Sequence, residues 1–202
     1  QLRDDAGNDR IQMDTLHEDL DVIEESLQTC RRIFGSMLTI ARGSKRGVGH
    51  GNLRRAVDSA LTVLDDSLKR LEIEVALDLP PELPSIRGSQ GDLTQLFLNL
   101  FTNARDAMDR GGELKIIAGL EDTAVQVSIY DTGAGIPEDH LERISEPFFT
   151  TKNDGNGLGL SICRSVVWEI NGSMRFESTP GTGTRVHLSL PVLGEQDQEA
   201  GE

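Results

Sequence analysis

The chain has 202 residues, with 20 Lys and Arg against 34 Asp and Glu and a formal net charge of −14. Nucleic acid and anionic membrane both demand a positive surface, so neither is expected as a partner. A hydrophobic fraction of 37% supports a real core, and with only 4% aromatic residues that core is expected to be aliphatic. No apolar run approaches the roughly 20 residues of a membrane helix, and the opening Gln-Leu-Arg-Asp-Asp is no signal peptide. Direct membrane insertion by this segment is therefore not expected. Cys30 and Cys163 have neither paired spacing nor His companions, which points to a reducing, cytoplasmic setting rather than a disulfide or zinc framework.

Residues 1–14 have a loop composition, and Thr15 is placed to cap a helix. Over 16–41 the apolar positions Leu16, Leu20, Ile23, Leu27, Cys30, Phe34, Met37 and Ala41 alternate steps of four and three, a heptad seam. Val22, Ile33, Leu38 and Ile40 widen that stripe, which suits a bundle of several helices rather than a two-stranded coil. Four glycines in the nine residues 43–51 then break the pattern. The expected organisation is a helical stem over 1–43, a linker over 44–51, a second domain over 52–191 and an acidic tail over 192–202.

Within the second domain, a helical period runs from Leu53 to Leu71, and strict alternation at Ile73, Val75, Leu77 and Leu79 predicts a strand ended by prolines. Residues 92–108 read as helix, 114–120 and 125–130 as strands, and 131–156 as a long Gly- and Pro-rich loop of the kind that serves as a lid. A helix over 158–170 and two strands, 173–177 and 186–190, complete the pattern. Intermixed helices and strands with hairpin-length connections predict an α+β fold, an α/β sandwich with a mixed sheet.

Four segments carry the chemistry. On the 92–108 helix, Asn99, Asn103 and Asp106 share one face, although Asn competes with the helix backbone and is not placed there by propensity. Taken alone, such a helix equally suits solvated Asn. Asp131-Thr-Gly133-Ala-Gly135-Ile136-Pro follows a strand; an Asp before two glycines suits an exocyclic amine whose ring lies against bare backbone, or a simple turn. Glu146-Pro-Phe148-Phe149-Thr-Thr151-Lys152 sets two aromatics and a cation in the lid. Gly155-Asn-Gly157-Leu158-Gly159-Leu160 opens a helix, where free N–H groups and the dipole hold phosphate. It is not the Gly-x-x-x-x-Gly-Lys pattern of P-loop proteins.

In this order and spacing the four segments resemble the asparagine, first glycine, phenylalanine and second glycine boxes of the sensor histidine kinase catalytic domain, and Gly181-Thr-Gly183-Thr184 looks like its last glycine box. The resemblance covers roughly 52–191 and is nearest the nitrogen-regulation type. It implies the ATP-binding sandwich shared with type II topoisomerases, mismatch-repair ATPases and ninety-kilodalton chaperones. It further implies ATP and Mg²⁺ as cofactors, with Asn103 as the metal ligand, Asn99 and Lys152 assisting at the phosphates, and Asp131 accepting from the adenine amine with support from Thr184. Asp106, Gly133, Gly135, Ile136, Phe149, Thr151, Gly157, Leu158, Gly159 and Leu160 complete the implied nucleotide contacts, and Phe148 joins Phe149 in anchoring the lid. Hydrolysing relatives carry a Glu where this chain has Asn99, and an amide cannot take a proton from water. Phosphoryl transfer to a protein side chain is therefore expected.

The family's acceptor histidine sits in a box of His, acid, two varied positions, Asn or Thr, and Pro. His17 is followed by Glu-Asp-Leu-Asp-Val and matches only the acid, so it reads as an exposed helix residue; His50, His140 and His187 read as structural. The acceptor is expected upstream. A homodimer through the stem and a cognate response regulator are the implied partners. A serine protein kinase of the anti-sigma or dehydrogenase-kinase type, and a scaffold that binds ATP without turnover, stand as the alternatives.

Overall fold

The computed structural model describes residues 49–109, 111–152 and 157–194. The chain divides into two units, Gln1–Arg42 and Gly43–Glu202, and every described residue belongs to the second. The heptad over 16–41, His17 and Cys30 lie outside the described residues.

Strand β1 (His50–Gly51) leads into helix α1 (Leu53–Arg70), strand β2 (Ile73–Asp78), strand β3 (Ile86–Arg87) and helix α2 (Gln90–Ala107). Strands β4 (Gly112–Glu121) and β5 (Ala124–Asp131) form a hairpin; the one-turn helix α3 (Glu138–Leu141), helix α4 (Gly159–Glu169) and the hairpin of β6 (Ser173–Thr179) and β7 (Gly183–Pro191) follow. The main sheet has the order β2-β4-β5-β7-β6. Only β2 and β4 run parallel; every other pair is antiparallel.

Capping and periodicity account for the two long helices. Asn52 Oδ1 accepts from Arg55 N at 2.9 Å to start α1, and Lys69 and Arg70 suit the negative end of its dipole. Ser89 Oγ accepts from Asp92 N at 3.1 Å to start α2. Helix α2 buries Leu93, Leu96, Phe97, Leu100, Phe101 and Ala104, spacings of three and four that make one apolar stripe. On the sheet, Leu114, Ile116, Val125, Val127, Ile129, Val186, Leu188 and Leu190 are buried in alternation. Helices α1, α2 and α4 cover that face, while Gln126, Ser128, Arg185, His187 and Ser189 occupy the other. The result is the expected α/β sandwich with a mixed sheet.

Several details depart from the sequence reading. The core is not purely aliphatic: Phe97 and Phe101 are fully buried with ring centroids 5.7 Å apart, because two of the few aromatic residues fall on the stripe of α2. The long loop after β5 contains α3, whose single turn is too short to show a period. His50 and Gly51 are paired to Arg87 and Ile86 rather than spanning open space. Val192 and Leu193 are likewise hydrogen bonded, to Thr123 and Ser85, so the chain is held to the body of the fold as far as these residues.

Candidate nucleotide site

Helix α2 lines the site along its length. Asn99, Asn103 and Asp106 lie on its exposed side, opposite the core stripe, and the run from Asn99 to Ala107 is about 12 Å at 1.5 Å per residue. Asn99 is fully engaged: its Oδ1 accepts from Gln95 Nε2 at 2.9 Å and its Nδ2 donates to the Gly159 carbonyl at 3.3 Å. That second bond ties α2 to the first turn of α4. Lys152 Nζ donates to Asp106 Oδ2 at 2.8 Å and to Asn103 Oδ1 at 3.4 Å. Arg105 Nε donates to the other Asp106 oxygen at 2.9 Å. Burial pushes the Asp106 carboxyl up, but the hydrogen bonds and charges of Lys152 and Arg105 outweigh it and hold the group below the usual carboxylate range.

The start of α4 differs from those of α1 and α2. Its N-cap is Leu158 and no side chain caps it; its first turn, like that of α1, carries no acid. Among the described residues, no side chain accepts from the N–H groups of Gly159 and Leu160, which stand at the positive end of the helix dipole where an anion is favoured. The two glycines here have distinct reasons. Gly157 has φ +65°, and a Cβ on it would stand 2.4 Å from the Phe148 backbone. At Gly159 a Cβ would meet nothing nearer than Asn103 Nδ2 at 4.0 Å. No protein contact demands glycine at that position, and the space it leaves opens toward Asn103.

At the other end of α2, Asp131 closes β5. Its Oδ1 accepts from Gly133 N at 3.0 Å and Thr184 N at 3.1 Å, while its Oδ2 has no hydrogen-bond partner among the described residues. Burial pushes this carboxyl up, opposed by the same two N–H groups. One oxygen is thereby fixed by backbone and the other is left to accept from a ligand amine. Gly133 and Gly135 were expected to admit a ring; the structure shows that neighbouring chain already requires them. A Cβ would lie 2.7 Å from Ala107 Cβ and carbonyl oxygen at Gly133, and 2.2 Å from the Thr179 carbonyl at Gly135, where φ is +71°. Ala134 N donates to the Ala107 carbonyl at 2.9 Å, and Gly181 N to the Ala134 carbonyl at 2.7 Å.

Sequence reasoning missed Ser178. Its Oγ accepts from Ile136 N at 2.8 Å, donates to the Gly183 carbonyl at 2.9 Å and lies 2.9 Å from Thr184 Oγ1. The signal was the β6–β7 register that sets Ser178 opposite Thr184, which cannot be counted off before the hairpin length is known. Thr184 itself reaches Asp131 through its backbone, with its hydroxyl turned to Ser178.

The lid residues separate. Phe149 packs within the lid, edge-on to His140 at 5.5 Å between centroids and under the Arg143 guanidinium at 4.6 Å. Phe148 was expected to share that anchoring role but is 65% exposed, with φ +69°. Its backbone is what matters, since Phe148 N donates to the Gly157 carbonyl at 3.0 Å. Thr151 is exposed, Leu158 is buried, and Leu160 and Ile136 are half-buried. Gly155 lies outside the described residues.

The set therefore fits a magnesium nucleotide: an amide oxygen at Asn103, uncapped N–H groups at α4, a lid cation and a carboxylate oxygen without a partner among the described residues. Residues 88–194 match the family model described as histidine kinase-, DNA gyrase B- and HSP90-like ATPase. Among curated relatives, sporulation kinase E of Bacillus subtilis is 31% identical over 85% of this chain and 23% of its own length. Sensor histidine kinase ZraS of Escherichia coli O157:H7 is 30% identical over 87% of this chain and 38% of its own. The chain thus spans well under half of either relative. The solved catalytic domain of histidine kinase ThkA, 29% identical, superposes with a TM-score of 0.65 over 73% of this chain and 97% of that one. ThkA has also been crystallised with the response regulator protein TrrA; that copy is 26% identical, with a TM-score of 0.66 over 83% of this chain and 49% of its own. This chain belongs to the histidine kinase-, DNA gyrase B- and HSP90-like ATPase family, on its sensor histidine kinase branch.

Proposed function

We propose that the chain is the ATP-binding part of a two-component sensor kinase, which transfers the γ-phosphoryl group of ATP to a protein histidine for relay to a response-regulator aspartate. The observation that carries this reading is the absence, among the described residues, of a usable base beside Asn103. One helical turn earlier stands Asn99, whose amide is committed at both ends. The carboxylate that does lie nearby, Asp106, is held ionised by Lys152 and Arg105 and is a correspondingly poor proton acceptor. Water is thus not activated, and the phosphoryl group is kept for a protein nucleophile.

When bound, Mg²⁺ on Asn103 would neutralise phosphate charge and align the transferred group. Asp131 Oδ2 accepts from the adenine amine and sets the register of the nucleotide along α2. The N–H groups of Gly159 and Leu160 hold phosphate oxygens, with Lys152 adding charge from the lid. The likeness to ThkA, which binds a response regulator, supports a regulator as the downstream partner. Residues 1–43 supply a dimerising stem in this reading, with the acceptor histidine on chain N-terminal to it and the whole segment acting in the cytosol.

Incubation with labelled ATP and a fragment bearing the first stem helix tests the proposal. Acid-labile, alkali-stable label on that fragment is expected; label on serine, or ATP consumed with no labelled protein, overturns it.

A further inference from the structure

Lys152 reaches α2 across 46 residues of sequence, bridging Asp106 Oδ2 at 2.8 Å and Asn103 Oδ1 at 3.4 Å. The second of these acceptors is the oxygen that the proposed reading gives to the divalent metal. An ammonium and a metal ion drawn to one amide oxygen compete for it, since both are cations and the oxygen carries no formal charge to offset their repulsion. Asp106 does not settle the competition, because Arg105 already neutralises its other oxygen. The lid has its own internal anchors in Phe149 with His140 and Arg143, and in Phe148 N with Gly157. Among the described residues, the Lys152 bridge is the side-chain contact that joins residues 148–152 to α2.

We propose that Lys152 and the divalent ion exchange at Asn103 Oδ1: the ammonium holds that oxygen when no metal does, and yields it when metal and nucleotide enter together. The inference rests on the proposed nucleotide site and deepens it. Lys152 is then a substitute cation as well as a lid tether. Its contribution to phosphate binding is large without metal and small with it. By linkage, the same exchange weakens the coupling between Mg²⁺ and nucleotide, because the metal must displace a charge already in place.

The test is calorimetric titration of ATP into the full chain and into Lys152→Met and Lys152→Gln, each with chelator and with saturating Mg²⁺. Lys152 is half exposed, so both variants are expected to fold. Exchange predicts metal-free affinity lower by roughly tenfold in both variants, in keeping with loss of a charge-assisted contact. At saturating Mg²⁺ the loss should be clearly smaller, so the affinity gained from metal is several-fold greater in the variants than in the unaltered chain. An equal loss with and without metal would make Lys152 an independent phosphate ligand and overturn the exchange. No loss in either condition would overturn it too. If the unaltered chain takes up no ATP under any condition, the nucleotide site itself is wrong, and the inference falls with it.

Discussion

Replacing Asp131 with Asn tests the adenine end of the site while sparing the fold. The carboxylate holds two backbone N–H groups through Oδ1, at 3.0 Å from Gly133 and 3.1 Å from Thr184, and keeps Oδ2 free of protein partners among the described residues. An Asn side chain retains the first oxygen and both of those bonds. In place of the second it presents an NH₂, so donor faces donor when an exocyclic amine approaches. Losing a hydrogen bond to a charged acceptor costs about 1.5–3 kcal/mol, or roughly 10- to 150-fold in Kd. Stability should change by less than about 1 kcal/mol, a shift of no more than ~2–4 °C in Tm, because the backbone bonds persist and no buried charge is added. The pH dependence gives a second signature. The Asp131 carboxyl titrates above its ordinary value, and its protonated oxygen donates rather than accepts, so wild-type affinity falls as pH drops through that raised pKa; the Asn variant is flat there. The linked stability term has the opposite sense: in the wild type it is fully present below the unfolded pKa and is lost as pH rises through the folded one. Calorimetric ATP titration and thermal unfolding on the same samples measure both. An Asn variant that binds ATP within twofold of wild type would refute the assignment, and one that unfolds would refute the claim that Asn keeps both backbone bonds.

The two glycine positions should behave oppositely. Gly159→Ala keeps or raises Tm, since its Cβ would meet only Asn103 Nδ2, at 4.0 Å, yet weakens ATP binding by filling the space beside Asn103; unchanged affinity would show that the space is not used. Gly133→Ala forces a methyl to 2.7 Å from Ala107, a clash worth about 1–3 kcal/mol that thermal unfolding should reveal as a lower Tm. Ser178→Ala strands Ile136 N and removes the hydroxyl pair with Thr184, costing about 1–3 kcal/mol, with Ser178→Thr recovering part of it in chemical denaturation. In a Cys30→Ser background, thiol reagents should modify Cys163 only at the rate of unfolding, because the thiol is buried and pushed up to about 12; prompt labelling at neutral pH would contradict its placement against the Leu96 carbonyl.

Much of the architecture was legible because periodicity and capping speak locally. The helices around Leu96 and Ile162 and the strands around Ile116, Val127 and Leu188 follow directly from spacings of three and four or of two. The candidate site residues Asn99, Asn103 and Asp131 stood out in the sequence for a different reason, since each sits where propensity and patterning do not ask for it. Ser178 and the Ala107 carbonyl were not legible. Their roles arise from register across a hairpin and from the meeting of α2 with the loop after β5, which are long-range facts. The two-residue pairing of β1 with β3 and the single turn of α3 are too short to leave a period. Gly133 and Gly135 read in the sequence as glycines that let a ligand ring approach; the demand that neighbouring chain makes for glycine at both positions is a further, long-range reason that the sequence does not show.

The Ala134 carbonyl accepts from Gly181 N and the Ala134 N–H donates to the Ala107 carbonyl, so one residue joins three stretches of chain distant in sequence. Together with Asp131, Ser178 and Thr184, this makes a clasp at the proposed adenine end of the site, and among the described residues none of its hydrogen bonds comes from the stretch between α3 and α4. The clasp and the lid are therefore expected to be separable: lengthening, shortening or exchanging the span between α3 and α4 should leave the proposed adenine recognition in place. Variants of this domain with transplanted lids should differ in how they handle the phosphates and the acceptor, and agree on which base they accept.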